Sequence, residues 1–194
     1  MRSRLLLVAI GLVAGVAITG GAVWADRFRT ELVSREASGG TTKVGAVPNS
    51  SYSAQIDGIC VDGGPEVRID RVRAAHTYNG AKVLGFALGP RLNEYGDVRR
   101  TTVDRFYAKD GSGLGSTVTA RCGIALDVRQ LAVEIRAPKL PAAIDGFLID
   151  YTVHGIHKTV HSDAFLMLCS GKENPDDELG EDTRMGTCSE WFEN

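Results

Sequence analysis

Phe147-Leu148-Ile149-Asp150-Tyr151-Thr152-Val153-His154-Gly155-Ile156-His157-Lys158-Thr159-Val160-His161-Ser162 decides the fold class of this chain. Two runs rich in β-branched and aromatic residues flank His154-Gly155, a dipeptide that suits a two-residue turn with positive φ at its centre. Closing the turn there sets Val153 opposite Ile156, Tyr151 opposite Lys158, Ile149 opposite Val160 and Phe147 opposite Ser162. Phe147, Ile149, Tyr151, Val153, Ile156 and Val160 then share one face, which the pattern predicts to be core. Successive side chains point to opposite faces of a strand, so a slip of one residue would turn this whole set to solvent.

Upstream the same period of two recurs. Val118, Ala120, Cys122, Ile124, Leu126 and Val128 are apolar at every second position, with Thr119, Arg121 and Asp127 between them, which predicts one strand with a buried and a wet face. Leu131, Val133 and Ile135 repeat the alternation until Pro138 stops it. Val67 and Ile69 open another strand, and Val72 falls on the wrong parity, which predicts a bulge. The apolar run 83–88 predicts a central strand. Residues 98–109 read as a strand or a short helix, and the glycine-rich 110–116 as a loop. About seven or eight short strands with turn signals between them predict a single antiparallel β-sandwich, immunoglobulin-like, over residues 52–194.

The chain begins differently. Arg2 and Arg4 precede an uncharged stretch from Leu5 to Ala25. At about 1.5 Å per residue such a helix crosses a bilayer core of roughly 30 Å. The leading positive charge favours an orientation with the N-terminus inside and the remainder outside. Residues 1–25 are therefore expected to be a signal anchor that holds the protein in the cell membrane. The alternative is a signal peptide removed after Val23-Trp24-Ala25, which would release the chain from Asp26 onward. No cysteine precedes Cys60, so the lipoprotein route is excluded. Residues 26–51, polar and then rich in Gly, Ser and Thr, are expected to form a flexible stalk.

Composition bounds the partners. The chain has 194 residues, 43% hydrophobic and 24% charged, which is ordinary for a globular protein. Without residues 1–25, 20 basic residues face 24 acidic ones, a net charge of −4. That acidity argues against nucleic acid as a partner, because phosphate binding needs a basic face. A domain of this size folds without a cofactor. Cys60, Cys122, Cys169 and Cys188 make an even set beyond the leader, with no Cys-x-x-Cys pair, and so predict two disulfides outside the cytoplasm. Three connectivities are open, and the preferred one pairs Cys60 with Cys122 and Cys169 with Cys188.

Candidate chemistry is thin. His157 and His161 would chelate a metal on a helix, but on a strand they lie about 13 Å apart at roughly 3.3 Å per residue. Asp176, Asp177 and Glu178, with Glu181 and Asp182, are the other candidate cation ligands, yet their order departs from a calcium loop. Gly111, Gly113 and Gly115 lack the remainder of any phosphate-binding fingerprint. Ser162, His161 and Asp163 are adjacent on a strand and so alternate between faces, which rules out a relay among them. The sequence therefore predicts no catalytic or cofactor-binding residues. The expected function is that of a non-enzymatic envelope module binding a protein, glycan or lipid. The alternative is a secreted hydrolase with a loop-built site around His76, His161 and the acidic segment.

Overall fold

A computed structural model describes residues 30–35, 41–64, 66–91, 98–107, 115–123, 128–170 and 188. Among them are ten strands: β1 Glu31–Arg35, β2 Thr41–Ala46, β3 Ser51–Asp62, β4 Val67–Tyr78, β5 Lys82–Arg91, β6 Val98–Arg99, β7 Thr117–Val118, β8 Arg129–Arg136, β9 Ala142–Val153 and β10 Ile156–Ser170. They form two five-stranded sheets that pack as a β-sandwich. The first runs β1-β3-β8-β5 with β6 also on β3, and the second runs β2-β10-β9-β4-β7.

The hairpin that opens the sequence reading is β9–β10, and its register is the expected one. Val153 faces Ile156, Tyr151 faces Lys158, Ile149 faces Val160 and Phe147 faces Ser162. His154 (φ 49°) and Gly155 (φ 79°) both take the left-handed conformation such a turn requires. Phe147 and Ile149 are fully buried, as are Tyr52, Ile59, Leu131 and Ile135 across the sandwich. Each such side chain contributes on the order of 1.5–3 kcal/mol relative to exposure. Ile156 departs from the core expectation at 37% exposed. It follows the turn directly, where the chain has only just re-entered the sheet.

The bulge expected before Val72 is present, as a register shift between Ile69 and Arg71 against β9. It restores Val72 to the buried face. The ambiguous segment 98–109 contains both alternatives, strand β6 followed by a one-turn helix α1 (Val103–Phe106). Val103, Phe106 and Tyr107 pack with Ala87 and Ala132 on the outer side of the first sheet. Strand β8 is consequently buried on both faces over part of its length.

Several expectations need correction. The alternating run 118–128 is not one strand. β7 ends at Val118, Cys122 lies in a turn with Gly123 at φ 92°, and β8 begins at Arg129 in the opposite sheet. Alternation reports which side a residue faces, not which sheet its strand joins. Strand β5, which carries the apolar run 83–88, ends the first sheet rather than lying at its centre. The sandwich is also not wholly antiparallel, because β2 runs parallel to β10.

Part of the expected stalk is built into the sheets. β1 pairs with β3 from Glu31–Asp62 to Arg35–Gly58, and Leu32 is 3% exposed in the main core. Lys158 Nζ donates to the Thr30 carbonyl at 3.3 Å and lies 3.6 Å from the Glu31 carboxylate. Edge strands of this kind are held by backbone pairing and one or two apolar side chains, which composition does not register. The expected signal anchor or signal peptide, residues 1–25, lies outside the described residues. Among the described residues, no helix is long and apolar enough to cross a membrane.

Both disulfides join the expected partners. Cys60 and Cys122 have Cα atoms 5.1 Å apart, and Cys169 and Cys188 5.4 Å. The first ties the end of β3 to the segment after β7, where Val61 N–H donates to Ala120 O at 2.7 Å. The second holds Cys188 over Met167, Cys169 and Phe165, an apolar patch at the end of β10.

Candidate functional site

Two surfaces gather polar and charged side chains, one on the second sheet and one where β4 and β5 part. The first is the outer face of β4, β9 and β10, where register sets polar residues in adjacent rows. Arg68 pairs with Asp70 at 2.9 Å, the Thr152 hydroxyl donates to Asp70 at 2.5 Å, and Thr152 meets His157 Nδ1 at 2.8 Å. In the next row Arg73 grips Asp150 through two nitrogens at 2.9 and 3.2 Å, and Thr159 donates to Asp150 at 2.7 Å. The Thr152 hydrogen bond, with lesser help from Arg68 and His157 against the cost of burial, holds the Asp70 carboxyl below the usual carboxylate range. Arg73 does the same for Asp150, assisted by Thr159, and Asp150 in turn raises Arg73.

The geometry resembles a nucleophile–histidine–carboxylate set only in composition. A hydroxyl carries one proton, and that of Thr152 goes to Asp70, so His157 Nδ1 must be the donor toward Thr152. General-base catalysis needs the reverse, a bare nitrogen accepting the hydroxyl proton, with the carboxylate on the other ring nitrogen. Asp70 instead lies 3.6 Å from that same Nδ1. This row is a structural polar ladder on an exposed face.

The residues singled out from sequence are dispersed. His157 belongs to the ladder, whereas His161 pairs with Asp163 at 2.7 Å on its own strand. His76 stands opposite Asp145 in β9, and His161 opposite Leu148. Two strand spacings and three residues along the strand separate His76 from His161, roughly 14 Å between Cα atoms, beyond the reach of two imidazoles. Asp176, Asp177 and Glu178 lie outside the described residues. Among the described residues, no three His, Cys, Asp or Glu side chains are grouped to hold a metal.

The second surface was not foreseen. Strands β4 and β5 are joined by Asn79-Gly80, both at positive φ (53° and 75°), a turn that ordinarily makes a hairpin. Here the strands diverge instead, β4 into the second sheet and β5 into the first. Between them opens a cleft of about 610 Å³. Val72, Ala74, Val83 and Phe86 line its depth, with Arg71 and Arg73 on one rim and Lys82 and Leu84 on the other. Leu84 is 46% exposed. The basic residues of β4 and the Asn-Gly turn are visible in the sequence, but their meeting across a cleft depends on the sheets parting there. No family model, curated protein or solved structure matches this chain.

Proposed function

We propose that this chain is an exported binding module of the cell envelope, of immunoglobulin-like strand order, that engages a protein partner at the β4–β5 cleft. The cleft carries the reading: an apolar floor continuous with the core, opening between two strand edges and rimmed by basic side chains. Apolar surface left open beside a strand edge is what protein partners dock against. The strand order supports the fold assignment. The first strands are divided between the sheets, β1-β3-β8-β5 forms one, and the last two strands lie beside β4 in the other. Two disulfides are consistent with a place outside the cytoplasm, and the leader supplies the route, as a membrane anchor or as a cleaved signal.

Photo-crosslinking in intact cells tests the reading. A crosslinking side chain at Leu84, on the cleft rim, should give one discrete adduct, and the same group at Ile156, exposed at the hairpin turn, should not. The captured partner, once purified, should bind the protein directly and lose binding when Leu84→Arg is introduced. Equal labelling from both positions, or none from Leu84, would overturn the proposal.

A further inference from the structure

The open edge of β4 is unequally covered. One side pairs with β9 along nearly the whole strand, from Arg68–Thr152 to Tyr78–Ala143. On the other side β7 covers only Val67 and Arg68, and Ile69 N–H donates to the Ser116 carbonyl at 2.7 Å. From Asp70 to Tyr78 no strand follows in that lane among the described residues. The short antiparallel β7 shows that the edge accepts a strand. The remaining lane gives room for about six to eight extended residues at roughly 3.3 Å each. Such a strand would lie over Val83 and Phe86, which are partly buried against the core.

Charge selects the occupant. Arg68 and Arg73 are matched by Asp70 and Asp150. Among the described residues the side chains of Arg71 and Lys82 form no hydrogen bond or ion pair; Arg71 adds only a minor attraction to Asp150, which Arg73 already holds, and both line the cleft. The surplus charge at the rim is therefore positive. A second copy of the chain presenting the same edge would set Arg71 and Arg73 against their like, which disfavours self-pairing.

The geometry points to an extended acidic peptide segment of the partner protein, added antiparallel to the edge of β4, its carboxylates meeting Arg71 and Lys82. Backbone hydrogen bonds give such strand addition its affinity, and the rim charges give it selectivity. This rests on the cleft being the binding surface, as proposed above.

The test uses the full chain in mild detergent with two fluorescein-labelled octapeptides, one alternating Val and Glu, the other Val and Lys. The Val/Glu peptide should bind saturably by fluorescence anisotropy and slow amide exchange in residues 70–78 but not in the β9–β10 turn. Raised salt should weaken it. Arg71→Glu with Lys82→Glu, both exposed, should keep the wild-type far-UV circular dichroism, weaken the Val/Glu peptide at least ten-fold and reverse the preference toward Val/Lys; Arg71→Gln with Lys82→Gln, which sets no like charge against Asp150, should weaken Val/Glu binding without that reversal. Equal binding of both peptides, binding of neither, or protection elsewhere overturns the inference. If neither peptide binds while Leu84 still crosslinks a specific partner, the binding module stands and its occupant is of other chemistry. If Leu84 gives no adduct either, both readings fall.

Discussion

Leu32→Ala separates a spacer from a strand more sharply than any other single change. Leu32 lies in a segment whose composition reads as stalk, yet it is 3% exposed and belongs to the main core. The substitution removes three carbons, worth about 2.4 kcal/mol at roughly 0.8 kcal/mol per methylene. An unfilled cavity adds to that, and a strand at the sheet edge settles part of the way into it, so a loss of about 3 kcal/mol is expected. For a domain of this size each kcal/mol shifts Tm by roughly 2–4 °C, so melting should fall by about 6–12 °C. Urea denaturation followed by far-UV circular dichroism measures the loss, with Val47→Ala as the control. Val47 is 39% exposed, and its truncation should cost no more than about 0.5 kcal/mol. If the two variants are indistinguishable, β1 contributes nothing to the core and the segment behaves as the stalk its composition suggests.

The two disulfides should differ in worth. The chain-entropy relation gives about 4 kcal/mol for Cys60–Cys122, separated by 62 residues, and about 3 kcal/mol for Cys169–Cys188, separated by 19. Alanine pairs at each site, compared by denaturation, should preserve that order; the opposite order would mean that packing around Cys188 outweighs loop closure. Asp70 and Asp150 are both held below the ordinary carboxylate value. Their contribution is therefore complete above about pH 4 and is lost as pH falls through the folded values. Urea midpoints measured between pH 6 and pH 2.5 should drop, and Asp150→Asn should flatten part of the drop; an unchanged profile would remove the ladder from the stability of the sheet. Gly89→Ala places a methyl group inside the ring position of buried Tyr107. It should cost about 1–3 kcal/mol by overpacking, and a neutral result would show that α1 yields freely.

The sequence by itself determined the hairpin, its register, the bulge before Val72 and that the cysteines form two disulfides. These are local or combinatorial properties. A turn dipeptide with period-two runs on either side permits one register, whereas four cysteines permit three connectivities, and the structure selects Cys60–Cys122 with Cys169–Cys188. The polar ladder was half visible, since Asp150, Thr152, His157 and Thr159 fall on one face once the hairpin is set. What the tertiary structure alone decided is which sheet each strand joins. The run 118–128 alternates in sequence, yet β7 ends at Val118 in one sheet and β8 begins at Arg129 in the other. The segment with Leu32 has too few apolar residues to show that backbone pairing will hold it. The β4–β5 cleft follows from the same cause: an Asn-Gly turn predicts a hairpin, and only the competition of β9 for β4 and of β8 for β5 draws the two strands apart. Side-chain alternation fixes the face of a strand. Hydrogen-bonded neighbours, which any exposed backbone edge offers, are chosen by the whole fold.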